Sequence, residues 1–295
     1  MALAKEFKAA TDRALSQIEY WLSKEPIRHI KNRFPTETKY GCERYAYFDK
    51  YMITTASFLH ATYLVCDESI PTEKQSDTKP CVWQSSYHFH KLFMKASGYG
   101  LEFDLDADPH YDANGLGRVH RAGAPSTICL SCPCPAAGAS YTVDIEAPFS
   151  FSACSAVMRD GEWKLGADSD CTYEVLSTSE KSDGVSASLL CRFDTDTTVK
   201  ESYTVDGSGV SVVLEGNGEL GFALPAFYFD GERYVDISCD DSSLTVSYEG
   251  WLCRYTTDGT VIDLGRIAAN RNGHYRAFLA SGTDKLKIKI EILKA

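Results

Sequence analysis

The chain has 295 residues, of which 44% are hydrophobic and 12% aromatic, and its formal net charge is −11. This length allows one large or two ordinary domains with their own cores, and the composition excludes an intrinsically disordered protein. The negative charge argues against a nucleic-acid-binding protein, which would need a basic surface. An acidic ligand is not excluded, because Arg and His can converge locally on an acidic protein.

Two helices are predicted at the start of the chain. Residues 2–24 carry apolar side chains at helical spacing, and Pro26 ends that helix. A second helix is predicted over about 43–66, and its apolar side chains cover most of its faces, so we expect it to be buried on several sides.

The segment PTEKQSDTKP (71–80) has the composition of a linker and separates a helical segment, 1–70, from a second domain, 81–295. After residue 81 the pattern changes to short alternating runs, about fourteen in number, separated by Gly-containing turns. Residues 126–132 are one predicted strand, and EGNG (215–218) is one predicted turn. The fold class expected is mainly β: a large antiparallel β-sandwich preceded by a short α-helical segment.

No N-terminal signal peptide is evident, and no stretch approaches the ~20 apolar residues of a membrane span. We therefore expect a cytoplasmic protein without membrane contact. Export is the alternative if the chain is a fragment of a longer protein. The eleven cysteines fit small core residues in a reducing compartment.

Four of the seven histidines lie within residues 87–121. His88 and His90 are spaced two apart in a predicted strand, which would place both on one face as a metal pair, as a base with its neighbour, or as ordinary surface residues. The following segment is polar and rich in glycine. Asn114-Gly115 and Gly117 permit positive φ, so a sharply folded loop is expected to direct the polar side chains Arg118, His120 and Arg121 inward.

A tyrosine cluster begins the second predicted helix. Tyr40 and Tyr45 lie near its N-terminus with Arg44 between them, and a cation can lower the pKa of a tyrosine enough for acid–base work. Core packing is the competing interpretation.

Near the C-terminus, Asn272-Gly273 predicts a hairpin, and Arg271 beside it is a candidate for the rim of a glycan site. Trp83, Trp163 and Trp251 are candidates for stacking on sugar rings, although tryptophan in a sandwich core is commoner.

The cysteines at 129, 132 and 134 contain one CxxC but have no second pair at the spacing of a zinc site. We therefore predict no metal site there and no cofactor, and leave a structural divalent metal open.

The helix start YGCERYAYFDKYM and the sandwich opening YHFHKLFMKASGYGLEFDLDADPHYDANGLGRVH resemble polysaccharide lyases of the heparinase II/III-like kind. In that family an α/α toroid precedes the sandwich, and the active site lies between them. The resemblance implies cleavage of a uronic-acid-containing glycan by β-elimination, with Tyr45 or Tyr40 as the tyrosine and His90 or His88 as the sandwich histidine. It further implies that Asn114, Arg118 and His120 line the carboxylate side, and that only the last toroid helices are represented in this chain.

Other interpretations stay open. A non-catalytic carbohydrate-binding sandwich would need only aromatic residues at its rim. A glycoside hydrolase or its accessory domain would need two carboxylates about 5–9 Å apart in one cleft. Glu102, Asp104 and Asp106 alternate along one strand face, but a solvated strand does so too. A structural or interaction protein is a further alternative. The predicted partner is an acidic glycan or oligosaccharide.

Overall fold

The computed structural model describes residues 2–23, 48–72, 79–86, 88–109, 111–136, 145 and 147–295. These residues contain two α-helices, α1 (Ala2–Leu22) and α2 (Phe48–Val65). The described strands, in chain order, are β1 (Cys81–Gln84), β2 (Lys91–Ala96), β3 (Tyr99–Asp104), β4 (Gly115–Arg121), β5 (Ser155–Arg159), β6 (Glu162–Leu165), β7 (Thr172–Glu180), β8 (Gly184–Arg192), β9 (Thr198–Asp206), β10 (Gly209–Phe229), β11 (Asp236–Cys239), β12 (Ser243–Tyr248), β13 (Trp251–Thr257), β14 (Thr260–Asn270) and β15 (Gly273–Lys294).

The strands form two antiparallel sheets. The small sheet has the order β1-β2-β3-β4. The large sheet has the order β11-β12-β13-β15-β10-β9-β8-β7, with β14 paired to β15 and the β5–β6 hairpin paired to β10. The mainly β, sandwich-type fold class predicted from the sequence is confirmed.

One hydrophobic core joins the two sheets. β1 and β2 pack over β7, β8 and β9, and the rings of Phe103 and Tyr203 meet edge to face with centroids 4.7 Å apart. Across the same core the backbone N–H of Ile292 donates to the Tyr99 hydroxyl at 3.0 Å. Strands with alternating burial, such as β9, present every second side chain to this core, which is the pattern that made them recognisable in the sequence.

The first helix closely matches its prediction, but the environment of α2 differs. Phe58, Tyr63 and Val65 are exposed to 69%, 79% and 82%. The expectation that this helix is buried on several sides is therefore wrong within the described residues, where no packed element covers those side chains. The predicted start of α2 at 43–47 and part of the predicted linker, 73–78, lie outside the described residues.

Three local predictions in the sandwich are also wrong. Residues 115–121 form strand β4 rather than a loop, because Gly117 is absorbed in a bulge opposite Glu102 and Phe103. Residues 126–132 form turns with one isolated bridge rather than a strand. The glycines of EGNG serve as an irregularity inside the continuous strand β10, not as a turn between two strands.

Candidate functional site

A charged cluster lies on the face of the small sheet that is turned away from the core. The Lys91 Nζ lies 2.6 Å from Asp104 Oδ2, 2.8 Å from Asp112 Oδ2 and 3.3 Å from Glu102 Oε1. Lys91 begins β2 directly opposite Asp104 at the end of β3, and both residues are buried. We call Lys91, Glu102, Asp104 and Asp112 the lysine cluster.

Burial and pairing act in opposite directions on the titration of this cluster. Burial raises the pKa of Asp104 to about 6, although the neighbouring ammonium group of Lys91 lowers it. Burial alone would lower the pKa of Lys91, but its hydrogen bonds to Asp104 and Asp112 raise that pKa above its ordinary value. Lys91 is therefore a permanent cation that ties the 105–114 connection to the sheet through Asp112.

Arg118 extends this charged row onto β4. Its Nε lies 2.7 Å from Glu102 Oε2, and its Nη1 donates to the Ser131 carbonyl at 2.8 Å. Glu102 is thus shared between Lys91 and Arg118. The carboxylates suggested for a hydrolase are not simply solvated strand residues, since Glu102 and Asp104 are both engaged by cations.

A cleft of about 70 Å³ opens beside Arg118, and Arg271 also lines it. We call this the arginine cleft; its other lining residues are Tyr111, Asp112, Cys132, Pro133, Pro135 and Asn270. The two guanidinium groups lie close enough to Cys132 to lower the pKa of its thiol, although burial dominates and raises that pKa overall. Two residues 153 positions apart in the chain (271 minus 118) are therefore brought to one cleft by the fold.

The β14–β15 hairpin is fastened at the arginine cleft by two asparagines. The buried Asn270 donates from Nδ2 to the Cys132 carbonyl at 2.7 Å, and its Oδ1 accepts from the Asn272 N–H at 2.8 Å. Asn272 Nδ2 donates to Ser131 Oγ at 2.9 Å. The hairpin predicted from Asn272-Gly273 is confirmed, and these bonds place Arg271 between two anchored residues.

His120 lies two residues beyond Arg118 on β4. Burial, and next the charge of Arg118, lower the pKa of His120, so its imidazole is neutral at pH 7. Its Nε2 is buried and has no hydrogen-bond partner within the described residues. As a neutral side chain, His120 cannot supply the positive charge expected of a carboxylate partner.

Asn114 lies at a different cleft. Its Oδ1 accepts from the Ala107 N–H at 2.7 Å, and its Nδ2 donates to the Cys171 carbonyl at 3.4 Å. The cleft there has a volume of about 430 Å³ and is lined by the carboxylates Asp106, Asp168 and Asp170, and we call it the acidic cleft. Asn114 braces the end of the 105–114 connection.

The remaining predicted residues divide into three groups. Arg121 faces the large sheet, where its Nη1 donates to the Ile292 carbonyl and its guanidinium lies 5.3 Å from the centre of the Tyr99 ring.

The two histidines do not alternate along a strand as predicted, because β2 begins only at Lys91. His88 lies in a turn, and His90 has a φ of 52°. The candidates Tyr40, Arg44 and Tyr45, and also His110, lie outside the described residues.

His90 has an acidic neighbour. Its Nδ1 lies 3.5 Å from Asp106 Oδ2 and 3.3 Å from the Asp106 carbonyl oxygen. His90 therefore lies next to a residue of the acidic cleft that Asn114 also lines, whereas Arg118 and Arg271 share the arginine cleft.

The sequence interpretation did not identify Lys91, Tyr111 or Asp112 as site residues. Lys91 alternates with the core residues of β2 and so lies on its polar face, opposite Asp104 on β3. This Lys–Asp pair across a predicted hairpin was the sequence signal that could have identified Lys91. Tyr111 and Asp112 follow one another in a polar segment, and nothing in the spacing indicated that Asp112 would reach Lys91.

No group of three or more His, Cys, Asp or Glu side chains in the described part of the chain is placed to hold a metal ion. The three clustered cysteines are buried, and Cys129 Sγ lies 3.1 Å from the Tyr255 hydroxyl. None of the described helices has the length and apolarity needed to span a bilayer.

Comparison with known proteins gives a match at the level of structure. Heparan sulfate lyase HepC from Pedobacter heparinus superimposes with a TM-score of 0.52 at 8% identity, over 82% of this chain and 42% of that chain. This similarity establishes the fold. A heparinase III gene product gives a TM-score of 0.51 at 10% identity over 83% of this chain and 42% of its own. A further heparinase III gives 0.51 at 7% identity over 76% and 38%.

The chain spans about two fifths of the length of these lyases, 42% for HepC. No protein-family model matches the sequence, and no curated protein matches it. The structural likeness therefore concerns the fold alone, and the chemistry depends on the residues of this chain.

Proposed function

We propose that this protein binds a uronic-acid-containing glycan and acts on it by β-elimination. The observation that carries the proposal is the convergence of Arg118 and Arg271 in one cleft of an otherwise acidic protein. The fold shared with heparan sulfate and heparinase III lyases supports it as an analogy. Paired guanidinium groups suit a carboxylate, because each offers several N–H donors in a planar array.

The reaction requires these charges at a defined step. A base removes the proton on the carbon next to the uronate carboxylate, and negative charge then develops on the carboxylate oxygens. The bond to the 4-linked oxygen breaks, a carbon–carbon double bond forms, and an acid returns a proton to the leaving oxygen. Fixed cations at the carboxylate stabilise the developing charge more strongly than the ground state.

The proton transfers are assigned by the resemblance to Tyr45 or Tyr40 with His90 or His88. Tyr111 is a further candidate, because it lines the arginine cleft beside Arg118 and Arg271. Asn114 and Arg121 are proposed to brace the 105–114 connection and β4, respectively, rather than to contact the carboxylate. Arg44 stays a proposed substrate-binding residue, whereas His120, whose Nε2 is buried, is assigned no contact with the glycan.

A carbohydrate-binding module without turnover is the second candidate function. It is favoured by one observation: among the described residues, no histidine lines the arginine cleft. A glycosidase is disfavoured, because Glu102 and Asp104 are held by Lys91 and Arg118 instead of facing an open cleft together.

The deciding experiment combines a turnover assay with a binding assay. Absorbance near 235 nm follows the unsaturated product on a panel of uronate polysaccharides, and calorimetry follows binding of the same substrates. Wild-type protein is compared with Arg271→Gln and with the surface control Arg192→Gln, whose native arginine pairs with Glu174 on the neighbouring strand β7.

A rise in absorbance that is lost in Arg271→Gln and kept in Arg192→Gln would support the lyase proposal. A flat trace with binding that still depends on Arg271 would identify the binding module. If wild-type protein neither turns over nor binds any uronate glycan, both proposals are wrong.

A further inference from the structure

A third cleft lies between helix α1 and the sandwich, and it shares no lining residue with the two clefts described above. It has a volume of about 350 Å³. Its lining residues are Gln17 and Tyr20 from α1, Gly123, Ala124 and Pro125 after β4, and Glu249 and Trp251 at the β12–β13 turn. We call it the aromatic cleft.

The local structure explains why these side chains meet. Gln17 and Tyr20 are three residues apart in α1 and so share one helix face. Glu249 and Gly250 both have positive φ, 49° and 75°, which is the backbone of a tight two-residue hairpin. That turn places Glu249 and Trp251 on either side of Gly250 at the end of the large sheet.

Trp251 is held in place from the sandwich side. It packs against the hydrophobic core, pairs with Lys294 in the sheet, and has its six-membered ring next to Gly123. Tyr20 is 43% exposed on the helix side. The cleft therefore has one anchored aromatic ring and one accessible aromatic ring, with an amide and a carboxylate beside them.

The charge of the aromatic cleft is opposite to that of the arginine cleft. Its described lining residues include no Lys, Arg or His, and the one carboxylate among them is Glu249, whose Oε1 lies 3.6 Å from Arg233 Nη2. An anionic ligand would therefore face a carboxylate that is already paired with Arg233. Aromatic rings beside an amide and a carboxylate suit a ligand with an apolar C–H face and several hydroxyl groups.

We propose that the aromatic cleft binds an uncharged pyranose residue, with Trp251 and Tyr20 against the ring and Gln17 and Glu249 as hydrogen-bonding partners of its hydroxyls. The inference shares the glycan ligand class with the proposed function but requires no elimination chemistry.

The test measures binding alone. Cellotetraose and tetra-N-acetylchitotetraose serve as neutral probes and tetragalacturonate as the acidic probe, in calorimetry with intrinsic tryptophan fluorescence. The variants are Tyr20→Ala and Trp251→Phe, and the matched control is Trp83→Phe, since Trp83 is 58% exposed and stacks on Phe93 outside the cleft.

We expect a neutral tetrasaccharide to bind, with affinity reduced about tenfold in Tyr20→Ala and unchanged in Trp83→Phe. Trp251→Phe should remove the fluorescence response while retaining part of the affinity. Arg271→Gln should leave neutral binding unchanged, which separates this proposal from the previous one.

Absence of binding to both neutral probes would overturn the inference, as would binding that survives both cleft substitutions. Binding of tetragalacturonate alone, lost in Arg271→Gln, would support the arginine cleft and still reject the aromatic one. A lack of turnover in any of these proteins bears only on the lyase proposal.

Discussion

At the scale of single residues, the same side-chain type has different roles in different places. Arg118 is bound on two sides, to Glu102 and to the Ser131 carbonyl, and so joins β3, β4 and the segment after it. Arg192, by contrast, forms an exposed pair with Glu174. The energetic consequence of replacing each follows from this difference in burial and bonding.

Replacing Arg118 by lysine is expected to lower the free energy of unfolding by about 1–2 kcal/mol. A lysine keeps the charge but loses the planar set of donors, so that the Ser131 carbonyl or Glu102 loses its partner. Arg192→Lys should change stability by less than about 0.5 kcal/mol, as surface pairs usually do. Urea denaturation of the three proteins checks this, and equal losses in both variants would contradict it.

The buried carboxyl of Asp104 predicts a specific pH dependence. Its pKa is about 6 in the folded protein against 3.8 ordinarily, so the native state holds that proton over a pH range in which the unfolded state has released it. Asp104 therefore contributes relative stability below pH 4, and this contribution is lost as the pH rises through 6. Over that window the difference in unfolding free energy between wild type and Asp104→Asn should fall by about 2–3 kcal/mol.

Denaturation series at pH 4, 5, 6 and 7 measure this difference directly. A difference that stays constant would show that pairing with Lys91 balances burial at this carboxyl, and one that grows with pH would show that pairing outweighs burial. Either result would contradict the prediction.

At the scale of elements, the β14–β15 hairpin positions Arg271. Asn270 and Asn272 fasten the hairpin to the Ser131–Cys132 segment, and Gly273 lies against the end of β10. A Cβ on Gly273 would lie 2.3 Å from the Phe227 ring and 2.7 Å from the Phe229 carbonyl. The element can therefore hold Arg271 at the cleft only while position 273 has no side chain.

Gly273→Ala is expected to destabilise the protein by about 1–3 kcal/mol, through displacement of the hairpin. It should also weaken binding of acidic glycan, because Arg271 moves with the hairpin. Gly100→Ala in β3 is the matched control, since a Cβ there meets nothing within 4 Å and its effect should be small. Near-wild-type stability and binding of Gly273→Ala would show that the hairpin does not control Arg271.

At the scale of the whole molecule, the net charge of −11 opposes any acidic ligand. Binding at the arginine cleft therefore depends on a local reversal of the overall potential. Neutral binding at the aromatic cleft has no such requirement, because an uncharged ligand is not repelled by the net charge of the protein.

Raising the salt concentration should distinguish the two clefts. Between 0.05 and 0.5 M NaCl, screening should change the affinity for tetragalacturonate several-fold while that for a neutral tetrasaccharide stays within about twofold. Calorimetric titrations at both salt concentrations check this. An equal response of the two ligands would mean that they do not use separate, differently charged sites.

The sequence was sufficient for the fold class and for local elements with a strong period. The alternation of β9, the helical spacing of α1 and the Asn272-Gly273 turn each follow from interactions between near neighbours, and each appears in the structure. Arg118 and Arg271 were separate substrate-binding candidates, one in a Gly-rich segment and one beside the Asn272-Gly273 turn.

The amino-acid sequence specified which segments extend, coil or turn, because those choices depend on neighbouring residues. The tertiary structure alone brings distant residues together: Lys91 contacts Asp112, Arg118 and Arg271 line one cleft, and Tyr20 and Trp251 line another. It also made 115–121 a strand, because the bulge at Gly117 forms where β4 pairs with β3. Asn114 and Arg118 are separated as a result. Contacts of this kind depend on sheet order and register, which periodicity does not encode.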